Sequence, residues 1–242
     1  MTDLDNQAKP TIVLVHGAFA ESSSWEGVIR RLRAQGYTAL AAANPLRSLS
    51  ADAEYVAGIL RALKRPVVLV GHSYGGAVIT RAAREQPNVR ALVYAAGFAP
   101  AEGEDAIELS LRFPGSTLGE SLWPVPLGDG SSDLYIEPSK FSAQFAADVD
   151  EERAVLMAAT QRPVRDVALK EALVGSPAWS SIPSWFVVAE LDRNIPAALQ
   201  RFMAERAGAR GITVVDGASH AVGVSRPGEV ADTVLRAALA VS

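Results

Sequence analysis

The chain predicts an α/β domain built on a doubly wound, mostly parallel sheet of about six strands. Three observations carry that expectation: short unbroken apolar runs recur along the chain, helical patterns lie between them, and 49% of the 242 residues are hydrophobic. That content suffices for one core buried between helices and a sheet, so a single domain is favoured. Unbroken runs mark strands covered on both faces, as in a parallel sheet. Strand followed by helix, repeated, brings right-handed crossovers.

The elements follow in order. Ile12 to Val15 is the first strand, and Trp25 to Ala34 the helix after it. Tyr37 to Ala42 is the second strand, leading to a helix over Ala51 to Leu63 with Ser50 as its N-cap. Val67 to Val70 precedes a helix over Gly76 to Glu85, and Ala91 to Ala95 is the fourth strand. Trp185 to Val188 leads to a helix over Ala197 to Ala207 behind Pro196; Ile212 to Val215 leads to one over Pro227 to Ala240. Between the fourth and fifth strands the alternation stops. Residues 98–183 hold many of the prolines and helical stretches at Pro138 to Val149, Glu151 to Thr160 and Val164 to Leu173, with no strand signal. They predict a helical lid inserted after the fourth strand and lying over the strand ends. The core is then 11–97 and 184–242, and residues 1–10 read as a mobile tail. Phe113, Trp123, Tyr135, Phe141 and Phe145 are candidates to line an apolar pocket under the lid; packing of the lid against itself is the alternative.

Composition removes several function classes. A net charge of −4 without a basic stripe argues against nucleic-acid partners. No stretch approaches the length of a membrane span, and the polar, acidic start Met1-Thr2-Asp3-Leu4-Asp5 lacks the pattern of a secretion signal, so a cytoplasmic protein is expected. The absence of cysteine excludes disulfides, zinc–thiolate sites and a thiol nucleophile. Oligomeric state has no readable signal.

The chemistry is carried by Gly71-His72-Ser73-Tyr74-Gly75-Gly76, set between the strand Val67 to Val70 and a helix. A serine on such a tight turn is held in a strained conformation that lifts its hydroxyl above the sheet edge, and only glycines nearby let strand and helix approach. The N-terminus of the following helix offers its N–H groups to negative charge developing beside the serine. Acyl transfer is the reaction class this predicts. Because functional groups of such sheets collect at the carboxyl ends of strands, those ends are the places to search for partners.

A serine hydroxyl needs a base, and the chain has three histidines. His72 diverges from its neighbour Ser73 and reads as structural; His16 sits in the exit turn of the first strand and would brace it. His220, in the loop after the last strand, is the expected base. A carboxylate must orient it. Asp192, in the loop after the fifth strand, fits best, with Glu190 and Asp216 as rivals. Two N–H donors are expected to stabilise the oxyanion, each worth about 3 kcal/mol of barrier: Tyr74 after the nucleophile, and Ala18 in the loop after the first strand. Phe19 and Trp25 would edge the substrate cleft, with Trp123, Phe141 and Phe145 contributed by the lid.

With His16-Gly17-Ala18, the Ser73 motif, Asp192 with Pro196, and His220 in this order, residues 11–242 resemble the α/β-hydrolase superfamily. They look most like its compact lidded members, the plant methylesterases, hydroxynitrile lyases and their bacterial relatives. The resemblance implies the α/β-hydrolase fold, a triad of Ser73, Asp192 and His220, an oxyanion hole from Ala18 and Tyr74, and no cofactor. Lyase members of that group add a lysine beside the acid, where this chain has Arg193-Asn194. Epoxide hydrolases and dehalogenases carry aspartate where Ser73 stands. The expected activity is therefore serine hydrolysis of small apolar carboxylic esters, with a small-molecule ester as partner. A cofactor-free haloperoxidase or perhydrolase, a lyase-like activity and a ligand-binding receptor derived from a hydrolase are the alternatives.

Overall fold

A computed structural model describes residues 9–241. In chain order its elements are β1 (Thr11–Val15), α1 (Glu26–Ala34), β2 (Ala39–Ala42), α2 (Leu49–Ala62), β3 (Val67–His72), α3 (Tyr74–Ala82) and β4 (Val89–Ala95). Next come α4 (Ala106–Leu111), β5 (Leu122–Pro126), β6 (Ser132–Ile136), α5 (Pro138–Phe145), α6 (Glu151–Thr160), β7 (Val164–Arg165) and α7 (Asp166–Lys170). The chain closes with β8 (Ser184–Ala189), α8 (Ala197–Arg206), β9 (Gly211–Val215), α9 (Val222–Ser225) and α10 (Pro227–Ala240).

The six expected strands form one sheet in the order β2-β1-β3-β4-β8-β9, every neighbouring pair parallel. Period-two alternation sends successive side chains to opposite faces. Val13, Val15, Leu69, Leu92 and Phe186 enter the apolar cluster under α2, α3 and α8. Ile12, Leu14, Val68, Val70, Val93 and Val187 enter the cluster that holds α1 and α10. With both faces covered, β1 and β3 have no exposed residue, which is why their sequences are unbroken apolar runs. From the centre of the sheet, β3, β1 and β2 lie toward one edge and β4, β8 and β9 toward the other, and because all are parallel the carboxyl ends of β1, β3, β8 and β9 share one rim.

Several boundaries differ from expectation. The N-cap of α2 is Ser48, whose hydroxyl accepts the Ala51 N–H at 3.1 Å, and not Ser50. The Ser50 N–H instead meets the Glu171 carboxylate at 3.1 Å, so two serines two residues apart compete for one role and the neighbouring segment decides it. Helix α3 begins directly after Ser73, two residues before the expected Gly76. Residues 1–8 of the expected tail lie outside the described residues; Lys9 reaches the Gln35 carbonyl at 2.7 Å.

The largest difference lies between β4 and β8. That stretch contains helices, but also a three-stranded antiparallel sheet in the order β5-β6-β7, where no strand was expected. The run Trp123-Pro124-Val125-Pro126 hides its strand because proline cannot donate to a ladder. Here β5 is an edge strand, the one place in a sheet where proline is tolerated. The expected helix over 164–173 is split into β7 and the five-residue α7. Among the described residues no helix is long and apolar enough to cross a membrane.

Candidate active site

Ser73 sits between β3 and α3 with φ 54° and ψ −125°, in the left-handed half of backbone space that a serine rarely adopts. Conformations of this kind cost of order 1–3 kcal/mol and persist only when the surroundings over-determine them. The surroundings here are backbone. A Cβ on Gly75 would lie 2.4 Å from the Val15 carbonyl oxygen, one on Gly71 2.5 Å from the Gly75 oxygen, and one on Gly76 2.4 Å from the Phe98 oxygen. Hydrogen bonds complete the hold: the Ser73 N–H donates to the Ala96 oxygen at 3.1 Å, and its carbonyl accepts from Gly76 and Phe98 N–H at 2.9 and 3.0 Å. The loop after β1 comes equally close, since a Cβ on Gly17 would stand 2.6 Å from the Ser73 Cβ.

Asp192 and His220 are joined: His220 Nδ1 lies 2.7 Å from Asp192 Oδ2, both side chains fully buried. The carboxylate is saturated. Its Oδ1 accepts the Asn194 and Ile195 N–H groups at 2.7 and 2.9 Å, and its Oδ2 also accepts Gln200 Nε2 at 2.9 Å. Buried charge is tolerated when so many donors face it. An acceptor-only carboxylate opposite Nδ1 fixes the proton on that nitrogen and leaves Nε2 as the basic one. The rivals sit elsewhere: Glu190 is exposed and faces Arg201 at 3.8 Å, and Asp216 is exposed in its turn.

Ser73 and His220 line one cavity, together with Ala18, Tyr74 and Phe19. The Ser73 hydroxyl and the Ala18 N–H make no hydrogen bond among the described residues. Tyr74 is the first residue of α3, where the N–H has no partner within a helix. Its ring is anchored by a 2.8 Å bond from its hydroxyl to Asp52 Oδ2. Asp52 is buried on α2, and burial pushes its carboxyl above the ordinary range.

The other two histidines brace the site. His72 Nε2 lies 2.9 Å from the His220 carbonyl oxygen, which can only accept, so Nε2 carries the proton. Burial lowers the His72 pKa to about 3 and keeps the ring neutral. His16 Nδ1 faces the Gly17 carbonyl at 2.9 Å, and its pKa is lowered to about 4, again chiefly by burial.

Of the seven aromatics expected at the pocket, Phe19 alone lines this cavity. Trp25 is packed edge-on to His72 and, with Phe145, borders a separate small space behind the histidines. Phe145 packs edge-on to His220 with ring centres 4.8 Å apart, and Phe141 stacks on Phe145. Trp123 is half exposed on β5 against Tyr135, and Phe113 packs on Phe202. Aromatic character signals burial without saying which side of a wall the ring occupies. The wall is instead built from Phe98, Ile107, Leu118, Leu169 and Ile195, with Asn194 as a polar member.

Support from a distance went unseen in the sequence. Gln144 on α5 donates from Nε2 to the Arg193 carbonyl at 2.9 Å and to Asn194 Oδ1 at 2.7 Å, gripping the loop that carries Asp192. The Phe145 carbonyl accepts the Ala221 N–H at 2.9 Å, and Asp148 accepts the Ser219 N–H at 3.1 Å and the Ser219 hydroxyl. The residues on either side of His220 are thus both tied to the end of α5 and the turn after it. Arg193 itself points outward to the Ala143 carbonyl.

The profile of the Alpha/beta hydrolase family matches residues 12–233. Esterase PIR7B of Oryza sativa subsp. japonica is 26% identical over 263 residues, covering 98% of each chain. Among solved structures, polyneuridine aldehyde esterase superposes with a TM-score of 0.81 at 18% identity, over 94% of this chain and 98% of that one. A pyrethroid hydrolase from Sphingobium faniae JZ-2 does so with a TM-score of 0.75 at 23% identity, over 96% and 98%.

Proposed function

The chain belongs to the alpha/beta hydrolase family, and from that premise we propose that it is a serine hydrolase of small apolar carboxylic esters working through an acyl-enzyme. The observation that carries this reading is the 2.7 Å Asp192–His220 bond, which leaves His220 Nε2 as a base in the cavity that Ser73 also lines. In the first half-reaction His220 Nε2 takes the Ser73 proton as Oγ attacks the ester carbonyl. The carbonyl π electrons move onto oxygen, where the Ala18 and Tyr74 N–H groups stabilise them. Collapse of the tetrahedral intermediate breaks the bond to the alkoxy oxygen, which leaves as alcohol with the proton from Nε2. Water, deprotonated by the same nitrogen, then repeats the sequence on the acyl-enzyme and releases the acid. Asp192 stays ionised and stabilises the imidazolium in both halves.

A predominantly apolar wall suits a small apolar ester. Residues 98–183 serve in this reading as the lid that shapes that cavity, between core segments 11–97 and 184–242. The test is turnover of p-nitrophenyl acetate and butyrate together with labelling by a fluorophosphonate. Wild type is expected to hydrolyse both esters and to be labelled, and Ser73→Ala to do neither. Equal turnover by the two proteins would remove Ser73 from the mechanism. Absent turnover with ligand-dependent thermal stabilisation would favour a receptor.

A further inference from the structure

Asn194 lines the cavity beside Ser73 and His220 and is 3% exposed. Its orientation follows from a short chain of hydrogen bonds. Gln144 Nε2 donates to the Arg193 carbonyl, which can only accept, so the Gln144 atom at that point is nitrogen. Gln144 Oε1 in turn accepts the Thr117 and Ser121 hydroxyls at 2.8 and 3.1 Å. The Asn194 atom that meets Gln144 Nε2 at 2.7 Å must therefore be oxygen. Nδ2 is left, buried, with no hydrogen-bond partner among the described residues. Most of the neighbouring wall offers it no acceptor, since Phe98, Ile107, Leu118, Leu169 and Ile195 are apolar, and neither the Ser110 and Ser73 hydroxyls nor the His220 ring makes a hydrogen bond with it.

We propose that Asn194 is a specificity-determining residue whose Nδ2 donates to an oxygen acceptor that the substrate carries besides its scissile ester. The preferred substrates are esters with an ether or keto oxygen further along the chain. This rests on the serine-hydrolase reading and narrows its substrate class. An apolar wall penalises replacement of a substrate CH₂ by oxygen, because the oxygen loses its hydrogen bonds to water; a fixed donor reverses the sign. Gln144, by holding Oδ1, presents that donor in one orientation.

Matched p-nitrophenyl esters test it: 3-methoxypropanoate against pentanoate, and 4-methoxybutanoate against hexanoate, each differing by oxygen for CH₂. The readout is the kcat/KM ratio of each pair in wild type, Asn194→Leu and Asn194→Asp, the last keeping an acceptor for Gln144. Intrinsic reactivity differences cancel between proteins. In at least one pair the ratio is expected to fall about 10-fold in both variants. Ratios unchanged in both variants would overturn the proposal. Thermal stabilisation by N-methyl-3-methoxypropanamide against N-methylpentanamide, and by the 4-methoxybutanamide and hexanamide counterparts, gives the same comparisons without turnover. Absent hydrolysis and labelling would thus sink the hydrolase reading while the amide pairs still decide the role of Asn194.

Discussion

The two sides of the candidate site are held in different ways. On the Ser73 side, support is made of backbone and placed by residues beside the serine: Gly71, Gly75 and Gly76 bring the main chain of the turn against that of Gly75, Val15 and Phe98 in contacts no Cβ could survive. On the His220 side it is remote and made largely of side chains, with Gln144 and Asp148 reaching loops 50 and 71 residues away. A local backbone device fails completely when altered, because backbone cannot rotate out of a clash. A remote side-chain clasp fails by degrees.

That contrast can be broken or sharpened by experiment, beginning with the largest effect. His220→Ala is expected to lower kcat/KM on p-nitrophenyl butyrate by roughly 10⁴-fold or more while the melting temperature stays comparatively high. Wild-type turnover there would dissolve the comparison at its root. Gly75→Ala places a methyl 2.4 Å from the Val15 oxygen. It should cost about 3 kcal/mol or more, or roughly 6–12 °C in Tm by calorimetry, and abolish fluorophosphonate labelling. Asp148→Ala removes the acceptor for Ser219 and the carboxylate 3.2 Å from Arg226. It should lower kcat about 10-fold at a stability cost of about 1–3 kcal/mol, and Asp148→Asn, which keeps an acceptor, should restore most of the kcat. An Asp148→Ala enzyme with full kcat would show that the remote clasp is dispensable.

The gentlest probe is pH. The pKa values of His72 and His16 are lowered from 6.5 to about 3 and about 4, so between those values and 6.5 the unfolded chain binds protons that the folded one refuses. Stability is therefore present above pH 6.5 and is lost as pH falls below it, down to about pH 4 for His16 and about pH 3 for His72. The slope is about 1.4 kcal/mol per pH unit for each ring. Urea melts from pH 7 to pH 4.5 should show it, and His72→Gln should remove about half of the slope. An unchanged slope in that variant would mean that the buried ring does not couple folding to protons.

The same contrast explains what could be read from the sequence. β1, β3, β4 and β8 were legible because unbroken apolar runs fit strands covered on both faces, whereas the edge strands β2 and β9 were found as apolar runs although Leu40, Ile212 and Val214 are exposed; Ser73 was legible because its glycines are its neighbours in the chain. Asp192 and His220 stood on strand ends, a short list in a parallel sheet. Gln144, Asp148, Gln200 and Asn194 were not legible, since nothing in a lone glutamine announces a partner 50 residues on. Strand β5 was hidden by its prolines, whose meaning reverses at a sheet edge. Trp25, Phe141 and Phe145, expected at the pocket, are buried off the cavity that Ser73 lines.

The grip of α5 and the turn after it on Ser219, Ala221 and Asn194 bears on how such proteins diversify. A chimera that exchanges residues 98–183 for the equivalent stretch of a relative swaps more than the shape of the pocket: it also discards the struts that aim the imidazole. Grafting for new selectivity has to carry matching positions 144 and 148 along with the transplanted piece, or the recombinant will fold and stand idle.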